Sequence, residues 1–405
     1  MASRSGVNIK TTIYNTFKGV DFSTDPCLVD RRRSPLCTNM VADSGGMPEK
    51  RCGWRTLHKV GGGAVHGMWT ARFGEAQKSV AHIGTKLYSW DDTDAAPVEL
   101  MTGLHDGRSQ GVLLGGKLWI VTGGELLRYD GTTVTDITAS DDVYIPVTVI
   151  ARKPAGGGEP YEDINLLGRY RENRFLADGT SKVYQLDGVI DAEGDVRVWV
   201  NGEETTSGWT ADRTAGNVTF GTAPEAPAAG QEDNVRIQYP HTVSGYADRI
   251  KKCTIITAYG INATNRIVLS GNPEHPNLDW TSAVNDPTYI PDLSYSAVGL
   301  EGVAIMGYCR IGEYLGIVKE ENAQDSSVWI RKGTLDGDGK AVFTVQAALA
   351  GVGAVSTGCF ANLLDEPMFV SGTGIYALVS SSYISGRVTQ NQVGGQAVLG
   401  RQRLW

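Results

Sequence analysis

Asp43-Ser44-Gly45-Gly46 combines a serine, a flanking acid and two glycines, the set with which trypsin-like serine proteases attack a carbonyl and hold the oxyanion on backbone amides. Ala42 stands where such a segment has a glycine, and no domain that could supply His and Asp in the usual order precedes it, so it reads as a turn. Asp336-Gly337-Asp338-Gly339-Lys340 offers two carboxylates two residues apart, as calcium loops do, but Lys340 takes the place of the third ligand. It too reads as a surface turn. Gly351 to Gly358 (GVGAVSTG) has the glycines of a dinucleotide loop without the helix or the βαβ unit that such a loop needs, and reads as an inner strand in which glycine allows close packing.

The six histidines (His58, His66, His82, His105, His241, His275) include no i, i+4 pair, so no metal or acid–base cluster is visible, and His82 reads as a core or interface residue. The six cysteines have no C-x-x-C pair and no zinc-like spacing, and read as reduced and mostly buried. Ser270 to Trp280 (SGNPEHPNLDW) invites comparison with the Asp-box turn of sialidases, S-x-D-x-G-x-x-W, but its Asp and Gly positions are occupied by other residues. The expectation is a non-enzymatic chain with no cofactor and no metal.

Composition agrees with a folded, β-rich protein: 405 residues, 51 of them Gly, 41% hydrophobic and 20% charged. The net charge of −8 argues against a duplex-DNA binder that works by neutralising phosphates. Arg31-Arg32-Arg33 is a local exception and stands beside Asp30. No N-terminal apolar segment of a secretory signal and no run of about 18 apolar residues occurs, so the chain is expected to be made in the cytoplasm, soluble, with no membrane partner.

The elements that must position these residues show themselves as repeats. Lys78 to Asp92 (KSVAHIGTKLYSWDD) lies without gaps on Lys117 to Gly131 (KLWIVTGGELLRYDG), and Glu366 to Ser380 (EPMFVSGTGIYALVS) fits the same frame. Two more copies fit with a longer turn, Arg266 to Trp280 and Tyr314 to Ile330. Each pairs an apolar strand with a Gly or polar turn and a returning strand, which is hairpin chemistry. All-strand repeats at roughly 40–50 residues are the signature of a β-propeller. We expect an all-β propeller of about five to six blades, with blades beginning near Ala64, Leu104, Ile250, Gly302 and Gly351.

The spacing breaks between the second and third copies. Residues 146–245, entered through the flexible Lys153 to Pro160 (KPAGGGEP), carry their own β pattern: Arg174 to Leu186 as two strands about an Asp-Gly turn, and Asp195 to Glu204 as a hairpin about Asn201-Gly202. The expected organisation is an extended N-terminal arm (1–60), a first propeller part (61–145), an inserted small β-sandwich (146–245), a second propeller part (246–389) and a C-terminal tail (390–405).

Two segments, Gly19 to Leu57 and Ser270 to Gly299, resemble tail-associated virion proteins of tailed bacteriophages, specifically the tail stabilisation or nozzle-type β-propeller group; Ile164 to Gly188 is similar to such sequences too. The resemblance implies a structural virion protein of the tail or head-to-tail connector. It implies a cyclic homo-oligomer, a hexamer, in contact with neighbouring tail or connector proteins, and passage of viral DNA at ejection without sequence-specific binding. Arg31, Arg32, Arg33 and Arg51 are the candidate ion-pair donors to a neighbouring subunit, with capping of the chain's own loops as their other role. An acidic wall suits a ring that must not trap a polyanion. The alternative is a host-surface or glycan-binding propeller module whose groove is lined by Trp199 and Trp209.

Overall fold

The computed structural model describes residues 10–11, 16–42, 46–56, 58–91, 93–94, 96–228, 230, 233–337, 339–363 and 366–378. The Asp43 to Gly45 turn, Asp338 and the C-terminal tail from 390 therefore lie outside the described residues. The chain divides into two compact units, Met1–Lys59 and a second that begins at Val60.

The structure is all-β. The second unit contains five successive antiparallel sheets, each laid down as a simple meander in chain order. The first holds Val65–Phe73, Ala76–Ile83, Lys86–Trp90 and Val98–Thr102, and the second holds Gln110–Leu114, Lys117–Val121, Leu126–Tyr129 and Val134–Asp136. The third holds Ile255–Tyr259, Arg266–Ser270, Leu278–Thr281 and Tyr295–Ala297, and the fourth Ile305–Ile311, Tyr314–Lys319, Ser326–Leu335 and Ala341–Ala350. Three strands of the fifth are described: Phe360–Leu363, Glu366–Ser371 and Gly374–Ala377. All five sequence repeats fall on the same part of their sheets, the hairpin between second and third strands.

Why these hairpins are so apolar follows from the packing. Successive side chains of a strand point to opposite faces, so a strand buried on both faces reads as a continuous apolar run. In Lys117–Val121, Leu118 and Ile120 pack with Val80 and Leu87 of the first sheet, while Trp119 and Val121 pack with Ile267, Leu269 and Trp280 of the third. Arg266–Ser270 repeats the arrangement: Ile267 and Leu269 face the second sheet and Val268 meets Leu315 of the fourth. Val318 then meets Phe369 and Leu378. The core is thus four successive inter-sheet layers, and each fully buried aliphatic or aromatic side chain contributes roughly 1.5–3 kcal/mol.

One charged pair is buried within this stack. Asp279, on the third strand of the third sheet, accepts a 2.7 Å bond from Nη2 of Arg331 on the third strand of the fourth, and both side chains are fully buried. The second carboxylate oxygen accepts from the Tyr308 hydroxyl at 3.0 Å.

The insertion forms two layers. A six-stranded sheet is ordered Glu159–Pro160, Val147–Arg152, Tyr170–Phe175, Val235–Pro240, Arg197–Val200, Glu203–Thr205, and a three-stranded sheet is ordered Val183–Gln185, Asn217–Phe220, Trp209–Asp212. Phe175, Tyr184, Val198, Val218, Ile237 and Tyr239 pack between them. The Asn201-Gly202 turn has positive φ at both residues (53° and 87°), as a two-residue hairpin of this hand requires. The two strands expected around Asp178-Gly179 do not pair with each other: the chain crosses there from one layer to the other. The insertion is seated through Asn165, 1% exposed, whose amide donates to Tyr144 O (2.9 Å) and Thr288 O (2.8 Å) and whose oxygen accepts from the amides of Leu167 and Ile290.

Two further expectations are corrected. Gly351 to Gly358 is not a strand but the approach to one, since pairing in the fifth sheet starts at Phe360. Only Cys253 and Cys309 are buried, whereas Cys27 and Cys52 are exposed and Cys37 and Cys359 are partly so. The three N-terminal cysteines belong to a unit that contributes little core.

Removing one member of a buried ion pair leaves the other charge stranded, which costs about 3–5 kcal/mol. Asp279→Ala should therefore lower the unfolding free energy of the second unit, read from urea denaturation, by that amount, and Asp279→Leu combined with Arg331→Met should recover most of it. The insertion should respond to acid through Glu172, 3% exposed. Burial alone would raise its pKa, but Arg174, Gln238 and Arg236, all bonded to its carboxylate, outweigh burial and hold it below the ordinary 4.5. A folded-state value below the unfolded one stabilises the fold fully above about pH 4.5, and that contribution is lost as pH falls through the depressed value. Glu172→Gln should flatten the acid limb of a stability-against-pH curve followed by circular dichroism.

Candidate functional site

Each sheet pairs its opening strand on one side only, so the other edge carries backbone N–H and C=O groups outside the ladder. The opening strands of all five sheets, or the residues leading into them, line one cavity of about 390 Å³. Val65–Phe73 supplies His66 and Trp69, Gln110–Leu114 with its approach supplies Arg108 and Gln110, and Ile255–Tyr259 supplies Thr257. Gly307 and Tyr308 come from the fourth sheet, and Thr357, Gly358 and Phe360 from the fifth.

Glycine makes room for the aromatic rings here. A Cβ on Gly111 would stand 2.8 Å from the Trp69 indole nitrogen, and one on Gly307 would stand 2.5 Å from the Phe360 ring. The two rings therefore lie on bare backbone of neighbouring strands. Polar side chains hold the strands in register across the cavity: Gln110 donates to Thr357 O (3.2 Å) and accepts from the Ile256 amide (3.4 Å). His66 Nε2 lies 2.5 Å from Asp106, and its ring is 5.0 Å from that of His82. Burial, then the neighbouring His66, holds His82 below the ordinary imidazole value, so it is neutral near pH 7 and bonded to Ser109 Oγ at 3.1 Å.

No Asp or Glu lines the cavity. Arg108 lies with its guanidinium against Gly358, where a Cβ would come within 1.9 Å of Nη1. Its side chain is exposed and makes no hydrogen bond or ion pair with any described residue, and the same holds for the Thr257 hydroxyl. Chemically the cavity offers one permanent cation, two aromatic rings in its wall and a rim of backbone donors and acceptors. A second cavity of about 290 Å³ lies at the seat of the insertion, between Asn165, Arg169, His241 and Tyr246.

The residues singled out from sequence lie elsewhere. Arg31, Arg32, Arg33 and Arg51 are all in the N-terminal unit. Arg32 is spent on Asp30 in a two-point contact (2.9 and 3.2 Å), and Arg51 reaches Asn39 at 3.4 Å. The side chains of Arg31 and Arg33 have no polar partner among the described residues. No described residue before Val60 is buried, and Phe22 (82%), Leu28 (76%), Leu36 (75%) and Trp54 (79%) are largely exposed.

Trp199 and Trp209 do not share a groove. Trp199 is held between Arg197 and Arg236, whose guanidinium carbons lie 5.0 and 4.9 Å from its ring, on the outer face of the six-stranded sheet. Trp209 packs against the core between the layers and donates to Thr205 O at 2.7 Å. Ser270 to Trp280 forms the lengthened hairpin expected of it, with Leu269 paired to Trp280. Asn272, fully buried, donates to Asp248 O and Arg249 O at the end of the helix Tyr246–Lys251, and His275 packs edge-on to Trp280. Among the described residues no group of three or more His, Cys, Asp or Glu side chains is placed to hold a metal ion.

Sequence reasoning missed the cavity residues because it followed the second and third strands. The available signal was a glycine beside an aromatic in opening strands, Gly67 and Gly111 about Trp69 and Gly307 under Phe360.

No family model and no curated protein matches the chain. Among solved structures it is similar to the extracellular domain of a putative one component system from B. thetaiotaomicron, at 11% identity and a TM-score of 0.27, over 83% of this chain and 34% of that one. It is also similar to the extracellular domain of a putative hybrid two component system from the same organism, at 10% identity and a TM-score of 0.18, over 80% of this chain and 45% of that one. The chain thus spans about a third of the first and less than half of the second.

Proposed function

We propose that this chain is a five-bladed β-propeller with an inserted β-sandwich, and that it serves as a structural subunit of a bacteriophage tail or head-to-tail connector, closing into a homo-oligomeric ring around the DNA path. The five meanders that share one cavity support the propeller, since blades arranged about an axis bring their opening strands together. The tail assignment rests on the resemblance of Gly19 to Leu57 and Ser270 to Gly299 to virion tail proteins.

The observation that carries the assembly role is the N-terminal unit. Four large apolar side chains at three-quarters exposure or more, in a segment where no described residue is buried, are a surface that needs a partner. Association would cover them and leave Arg31 and Arg33 free to pair with carboxylates of a neighbouring subunit. A cavity of about 390 Å³ cannot pass a DNA duplex, so the DNA path would be the axis of the oligomer, a hexamer, and not the axis of one propeller. The net charge of −8 suits such a channel. The glycan-binding alternative loses its proposed groove, because Trp199 and Trp209 lie on different layers.

Purified protein should form rings in negative stain, with a mass by light scattering that is a small multiple of 43.4 kDa. Phe22→Ser combined with Trp54→Ser should weaken assembly by about tenfold or more while leaving the melting of the second unit unchanged, because both residues are exposed. A species that stays monomeric up to about 100 μM would sink the ring.

A further inference from the structure

We infer that the central cavity is a binding site for an acidic monosaccharide unit, a uronic acid, held through its carboxylate by Arg108. This goes beyond the structural role and does not depend on it. The volume, about 390 Å³, is in the range of small-molecule sites.

The charge pattern selects an anion. In a chain with eight more formal negative than positive charges, the cavity wall contains no carboxylate, and its one fixed cation has no protein partner among the described residues. A guanidinium presents two parallel N–H groups that match the two oxygens of a carboxylate. The second candidate cation, His66, is already engaged by Asp106 at 2.5 Å. One cation balances a monoanion, which favours a carboxylate over a phosphate dianion.

The remainder of the wall selects the body of the ligand. Trp69 and Phe360 put aromatic rings in the wall, which can pack against the apolar face of a compact ring. Around them the backbone groups on the outer edges of the opening strands, other than those already bonded to Gln110 or joined from Ser109 to His66, and the free Thr257 hydroxyl supply donors and acceptors for several hydroxyl groups. A purely apolar carboxylate would leave those groups unsatisfied. A neutral sugar would leave Arg108 unpaired.

The test titrates the full-length protein with D-glucuronate, D-glucose, acetate and inorganic phosphate by calorimetry and ligand-observed NMR. Glucuronate should bind saturably, with glucose and acetate each weaker by about tenfold or more. Arg108→Gln should weaken glucuronate by about tenfold or more, and Arg108→Lys should fall between, because it keeps the charge and loses the fork. Arg108 is exposed, so neither variant should shift the melting temperature, which is measured alongside. No saturable binding of glucuronate up to about 10 mM, equal affinity for phosphate, or wild-type affinity in Arg108→Gln would each overturn the assignment.

Discussion

With one six-residue helix and one short 3-10 turn among the described residues, nothing but another sheet is available to cover a sheet. That constraint organises the second unit. A meander has two faces, and each inner one must be buried against the next meander, so the second strands become apolar on both sides and the layers follow one another in chain order. Polar groups drawn into the stack must then be neutralised there. Asp279 and Arg331 do so across the third and fourth sheets. Lys319, fully buried, does so by donating to Val298 O and Leu300 O beside Asp325. Burial draws the Lys319 pKa down, and the carboxylates of Asp325 and Glu320 oppose it.

This division explains which parts of the fold were legible. Leu118 and Ile120, Ile267 and Leu269, and Leu315 and Ile317 hold matching alternate positions on the second strands of their sheets and are buried toward the preceding sheet, so their segments resemble one another and the repeat was visible. Opening strands face a shared cavity where each contributes a different group: His66, Arg108, Thr257, Tyr308 and Phe360 have no common pattern to detect. Asp279 belonged to a stretch that was read correctly as a hairpin, but its partner is 52 residues away in another sheet and no local spacing announces it. The crossing at Asp178-Gly179 was misjudged for a related reason. An Asp-Gly turn reports that the chain reverses, and whether the returning strand pairs or changes layer is decided by the core it joins.

The two units differ in how far they satisfy themselves. In the second, Asn165 uses both ends of its amide on four backbone groups, and Glu172 is matched by two arginines and a glutamine. In the first, hydrogen bonds join backbone segments such as Lys18 to Arg32 and Asp21 to Ser34, and a hairpin pairs Met40–Ala42 with Pro48–Lys50. Its apolar side chains are not collected into a core. Large apolar side chains left outside a core are what the proposed assembly role would use.

The two surfaces left incomplete make different demands. The N-terminal unit exposes apolar area, which any complementary surface of sufficient size can cover, and its energetics grow with contact area. The cavity presents hydrogen-bonding groups around one guanidinium, and the energetics of a ligand that replaces water there depend on geometry. On the proposed readings, one surface would build the chain into an assembly while the other would remain open to a small molecule. Occupancy of the cavity would bridge opening strands of different sheets, coupling ligand binding to the stack that the inter-sheet core maintains.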